Sequence, residues 1–278
     1  MAFSLTSAFD IEERESNRVI LFTIQSFFIG IFISTFEIGS TSLFLDNFPQ
    51  SSLPKAFIVS GLIGVFFTTI FTGLQKSISF KALSVINLMA ITVLTILLRY
   101  SFDITQDPRL IYIVFVIMGP LKVIAFLGFW GMASRIFTLR QGKRLFGLID
   151  SGQVFGAIII GFTTSIITRF LAGTEDLLII SSASILITLI IQVIIINNYE
   201  IDEKALIQKT DEVKKESKVS YSIFKNKYIQ YMILFILLST ISIFFIYNSF
   251  LAVTKDQFPQ SRDLTNFLGV FISMVMIF

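Results

Sequence analysis

Between residues 19 and 254 the chain carries seven apolar runs: 19–45, 56–75, 82–98, 110–134, 145–172, 177–197 and 228–254. A helix crosses the hydrocarbon of a bilayer in about 20 residues, within a range of roughly 17–25. Each run is long enough. Seven of them in 278 residues leave too little polar sequence to cover one soluble core: 54% of the residues are hydrophobic, 15% are charged and the mean hydropathy is +0.81. A soluble domain is about a quarter charged. The implied class is an all-α integral membrane protein. An eighth run, 264–278, stops after 15 residues. A helix ending there would leave carbonyls open in hydrocarbon, so the chain is expected to be a fragment truncated in helix 8. The first run is too long for a signal-peptide core.

Composition also excludes chemistry. There is no Cys and no His, which removes disulfides, thiol nucleophiles, imidazole bases and the usual zinc ligands. No pair of facing carboxylates and no Gly-rich phosphate loop is evident, so neither enzymatic activity nor a cofactor is expected, and hydrolysis within this chain is not the energy source. The pI near 9.0 does not point to nucleic acid, because the basic residues sit between apolar runs, where they set topology. With the N-terminus in the cytoplasm, the inside holds Arg14, Arg18, Lys76, Lys81, Arg135, Arg140, Lys143, Arg144 and seven Lys between 204 and 227. The outside holds Lys55, Arg99, Arg109, Arg169, Lys255 and Arg262. That is fifteen against six, and the excess fixes the orientation. The stretch "SAFDIEERESNR" reads as a short cytoplasmic helix lying at the interface.

A short turn recurs. "DNFPQSS" at 46–52 returns as "DQFPQSR" at 256–262, each after one long apolar run and before another. Six runs precede the charged stretch 198–227, so the first and seventh run in the same direction and both turns fall outside. The reading is a duplicated six-helix unit: an N-terminal segment 1–18, a six-helix bundle 19–197, a cytoplasmic linker 198–227 and the start of a second bundle at 228–278. Parallel halves related by an axis along the membrane normal are the plan of the major facilitator superfamily.

Three stretches carry a closer resemblance: "SLFLDNFPQSSLPKAF" (42–57), "FWGMASRIFTLRQGKRLFGLIDSGQVFGAIIIG" (129–161) and "YNSFLAVTKDQFPQSRDLTNFLGVF" (247–271). Together they resemble the nucleotide transporter (ATP:ADP antiporter) family, a branch of that superfamily. The resemblance implies twelve helices in the whole protein and a nucleotide or related phosphorylated metabolite as substrate. Two positions depart from the family pattern. Where the family places basic residues near the end of helix 1, this chain reads "EIGSTS" (37–42); where it places an acid in helix 4, this chain has Met118.

An ionisable residue at mid-membrane costs roughly 2.5–3.5 kcal/mol on insertion scales and marks a functional site by default. Lys122, just after Gly119-Pro120, is the leading candidate for an anion site, with Glu37 as its counter-charge; the alternative is a structural ion pair between the two. The proline removes a backbone hydrogen bond and favours a kink there. Gln153 and Gln25 could bond a ligand or a neighbouring helix. At the cytoplasmic mouth, Asp150 reads either as a helix-end acid favoured by the macrodipole or as a gate partner for Arg140, Lys143 or Arg144. Together with Arg135, those basic residues could concentrate anions. Gly152, Gly156 and Gly161 read as a close-packing face, and Trp130 as an interface anchor or a packing residue. The reading is a secondary transporter that handles a small anionic metabolite, in the inner membrane of a bacterium. The alternative is a non-transporting scaffold or sensor of the same fold, with a regulatory domain beyond residue 278.

Overall fold

The computed structural model describes residues 12–105, 107–201 and 226–278. Of the interfacial helix expected over 7–18, residues 7–11 lie outside the described residues, as does most of the 198–227 linker; from Glu13 that stretch runs without a break into the first long helix. Among those described, eight helices account for the fold: α1 (Glu13–Asn47), α2 (Leu53–Leu74), α3 (Phe80–Ile104), α4 (Pro108–Ile136), α5 (Leu139–Phe170), α6 (Leu177–Asn198), α7 (Lys227–Gln257) and α8 (Ser261–Ile277). The first seven are long and apolar enough to cross a membrane. The protein is therefore an integral, multi-pass, all-α membrane protein.

Each apolar run falls on one helix, but most of the helices are longer than the runs. Hydropathy reads the part that crosses hydrocarbon, whereas the backbone keeps its ladder until a cap or a proline stops it. α5 gives the clearest case. Its apolar run begins at 145, yet the helix begins at Leu139, because Thr138 and Gln141 form a capping box: the Thr138 hydroxyl accepts from the Gln141 amide and the Gln141 side chain accepts from the Thr138 N–H. This corrects the reading of Asp150 as a helix-end acid, since it lies about three turns beyond the true start. α4 opens on Asp107, whose carboxylate accepts from Arg109 N–H, followed by Pro108 in the first turn.

The recurring turn breaks the helix at the same Phe-Pro step in both places. α1 ends at Asn47, extended Phe48 and Pro49 follow, and helix resumes at Gln50. α7 ends at Gln257, and α8 starts at Ser261 after Phe258-Pro259-Gln260. Each turn phenylalanine stacks on a ring, Phe48 on Phe44 at 5.0 Å and Phe258 on Phe267 at 4.6 Å.

The described chain divides into two units, residues 1–201 with 258–278, and residues 202–257. The second consists, in its described part, of α7. Within the first, α1 packs on α4, α5 and α6; α4 packs on α1, α2 and α3; α3 meets α6; and α8 lies on α5 and α1. Exchanging α1 with α4, α2 with α5 and α3 with α6 maps the contacts among the first six helices onto themselves. An odd number of crossings separates the exchanged helices, so they run in opposite directions. These are two three-helix repeats of inverted topology, the nesting expected inside one half of a major facilitator bundle.

Glycines bring α1 and α5 into backbone contact. A Cβ on Gly152 would run into the carbonyl of Thr23, one on Gly156 into that of Phe27, and one on Gly30 into that of Gln153. The close-packing reading of this face holds. Without a membrane-water hydrophobic effect between helices, such close approach supplies the van der Waals contact that joins them. The core continues as a ring cluster in which Phe22 meets Phe129 and Phe137, and Trp130 meets Phe129 and Phe146 edge-on. Trp130 thus packs.

Candidate substrate site

Lys122 and Glu37 meet. Lys122 Nζ stands 3.5 Å from Glu37 Oε2, joining α4 to α1. Their side chains remain 41% and 24% exposed, so the pair borders open space. α4 runs unbroken through buried Pro120, and the expected opening of the backbone is not a break in the helix. One turn before Lys122, Met118 sulfur accepts a hydrogen bond from Ser40 at 3.2 Å. The position at which the resemblance implies an acid on the fourth helix is therefore held by Met118, and the charge on α4 is Lys122, one turn further on.

The two glutamines behave differently from that pair. Gln25 is fully buried, and its amide donates to the Gln192 side chain at 2.7 Å and to the Thr188 carbonyl at 3.3 Å. Gln192 in turn donates to Ser84 at 3.2 Å. This amide chain ties α1, α6 and α3 together, and Gln25 has no open side to offer a ligand. Gln153 is half-buried on α5. Its side chain donates to Asp150 at 2.9 Å and its backbone N–H to Ser26 on α1 at 3.1 Å. Asp150 is held by that glutamine, and none of Arg140, Lys143 or Arg144 is seen paired with it.

The basic cluster is split by partners. Arg144 reaches Glu15, a buried acid on α1, and lies 3.9 Å from Glu12. Gln141 also donates to Glu15. Arg135 lies over the Phe80 ring, 3.5 Å from its centroid, and donates to the Gly131 carbonyl at 2.7 Å. Arg140 and Lys143 are exposed. With Glu12, Glu15, Thr138, Gln141 and Arg144 they line a cleft of about 550 Å³ at the start of α5. No acid stands in the first turn of that helix, so two exposed cations sit at its positive end.

Several polar contacts escaped the sequence reading. Arg99, counted there only as an outer charge, binds Asp176 through Nε at 3.0 Å and Asp103 at 2.8 Å. Asp176 also accepts from Ala172 N–H at 3.0 Å, closing the α5–α6 turn onto the end of α3. Gln192 and Ser84 passed unnoticed because one polar residue in an apolar run gives no sign of which neighbour it will meet. Among the described residues there is no group of His, Cys, Asp or Glu able to hold a metal.

With the helices and this charge pair in place, the comparison with known families decides the identity. The profile of the TLC ATP/ADP transporter family matches residues 55–278. The chain belongs to that family. The match takes in α2 to α8, including Lys122, the α5 cleft and the second copy of the turn. Glu37 and the rest of α1 precede it. No curated protein and no solved structure matches the chain. Members of this family are transporters of nucleotides such as ATP and ADP.

Proposed function

We propose that this family member is a secondary carrier that exchanges nucleotides, or closely related phosphorylated metabolites, by alternating access around the Lys122–Glu37 pair. That pair is the observation that carries the reading. A sealed charge pair holds only where close geometry and full hydrogen bonding repay its desolvation, and it then has no room to exchange a partner. This one is stretched to 3.5 Å and left half open. An ammonium in that position can leave its carboxylate for a substrate phosphate and return to it when the phosphate departs. Gln153 and Asp150, joined to each other on α5 next to Ser26, are candidate polar contacts elsewhere on the path. Arg140 and Lys143, exposed at the mouth, raise the local concentration of anions before they enter.

The domain plan follows the recurring turn. Residues 19–197 form one bundle, 198–227 a cytoplasmic linker, and 228–278 open the second bundle, with the N-terminus in the cytoplasm. A cysteine at Ser51 of the Cys-free protein should react with an impermeant thiol reagent in intact cells, whereas one at Ser217 should not. The reverse pattern would invert the orientation.

The site is tested by a double-mutant cycle on the full-length protein, with nucleotide-induced thermal stabilisation as the readout. Lys122→Met should lose the nucleotide response, and Glu37→Gln should not restore it in the double mutant. If Lys122→Met responds fully to nucleotide, Lys122 is not the anion site. If it is destabilised and the double mutant recovers both stability and response, the pair is structural.

A further inference from the structure

α8 lies antiparallel along α5, and the character of the seam changes along its length. At its inner end Ser273 donates to the Ile158 carbonyl at 2.9 Å. Next, Gly269 and Gly161 meet backbone to backbone: a Cβ on Gly269 would lie 2.8 Å from the Gly161 carbonyl oxygen, and one on Gly161 would strike Gly269 and Ser273. Beyond that point side chains take over. Thr168 donates to Asn266 at 2.8 Å. At the outer end the Thr174 hydroxyl lies 3.1 Å from that of Ser261 and 3.4 Å from that of Thr265. Behind this hydroxyl group is a cavity of about 270 Å³ bordered by Leu43, Asp46, Glu175 and Arg262.

The two ends of the seam respond differently to a small separation. Glycine contacts have no side chain that could swing in to fill a gap, so parting them forfeits dispersion outright. Neutral hydroxyl pairs exchange for water at little net cost, and the charged cavity behind them supplies room and polar partners for that water. α8 opens the second bundle in the domain plan above, whereas Thr174 belongs to the α5–α6 turn of the first.

We infer that Thr174, Ser261 and Thr265 form a water-exchangeable latch that closes the outer gate between the two bundles, with the Gly161–Gly269 contact as the pivot. The latch is shut in this structure. The inference rests on the domain plan proposed above, which gives α8 to the second bundle although it packs with the first unit, and on the carrier reading for its role in transport.

The test uses the full-length protein in membrane vesicles. A Thr174→Cys/Ser261→Cys pair should form a disulfide on mild oxidation, and nucleotide uptake should stop and then return on reduction. Independently, Leu43→Cys, a buried residue bordering the cavity, reports opening through its rate of reaction with an impermeant thiol reagent from outside. Adding Thr174→Val or Ser261→Ala should raise that rate roughly three- to tenfold, the factor expected for losing one neutral hydrogen bond. A pair that cross-links yet transports normally overturns the latch, as does a Leu43→Cys rate unmoved by either substitution. If the unsubstituted protein takes up no nucleotide, the carrier reading falls, and the labelling rate alone decides the latch.

Discussion

Two polar contacts inside the first unit invite comparison. Gln25 and Gln192 meet at 2.7 Å with both residues all but inaccessible, and Ser84 completes the chain. Glu37 and Lys122 meet at 3.5 Å with much of each side chain open. Both join α1 to another helix. The amides are neutral, short-ranged and sealed, so their partners are permanent. The ions are longer-ranged and unsealed, so a partner can be exchanged. Intramembrane polarity alone therefore does not mark a site. On the function proposed above, the access left around it does, together with a charge that something arriving from water could satisfy.

The comparison is sharpened first by breaking the scaffold that holds both contacts. Gly156→Leu forces a side chain into the Phe27 carbonyl and should cost about 3 kcal/mol or more, the upper end of overpacking, read as loss of folded protein after detergent extraction. Gly61→Ala, with nothing within 4 Å of the added carbon, should be silent in the same assay. Next, Gln192→Leu strands part of the buried Gln25 amide and should lower stability by about 1–2 kcal/mol. Gln25→Leu/Gln192→Leu should recover much of the loss, and both variants should keep their full nucleotide response. A lost response in the double mutant would make the amide chain part of the site and erase the distinction drawn above.

Lys122→Met should cost under about 1 kcal/mol of thermal stability, nearer an exposed ion pair than a buried one, while removing the nucleotide response. A loss as large as that of Gln192→Leu would mean that the pair is as structural as the amides. The smallest effect is expected at the mouth. Arg140→Gln/Lys143→Gln should leave thermal stability unchanged and weaken apparent nucleotide affinity a few-fold at low salt. That difference should fade as ionic strength rises past about 0.15 M.

Much of the architecture was legible because a bilayer leaves so few options. Every apolar run became one helix, since hydrocarbon demands internal hydrogen bonding, and both copies of the FPQS turn fell between helices. Helix ends were less legible. The Thr138–Gln141 capping box lies inside a basic, polar stretch that hydropathy ignores, and missing it misplaced Asp150 relative to the helix start. Of the candidate site, the Lys122–Glu37 meeting was foreseeable from two lone charges that each needed a partner. The fate of Gln25 was not, because Gln192 lies 167 positions away and nothing local links them. Arg99 was read as a mere topology charge because its carboxylate partner, Asp176, sits in a turn between spans.

The Gly161–Gly269 contact also sets a clock. Its residues are 269 − 161 = 108 positions apart. At a synthesis rate of about 5–20 residues per second, α5 waits roughly 5–20 s before α8 emerges to cover it. For that interval the groove over Gly161 and Thr164, covered by α8 in the finished structure, would be open to lipid. A bilayer whose acyl chains fill the groove too well would have to give them up again, so the yield of assembled protein should depend on the lipids present during translation, even where the finished carrier is indifferent to them.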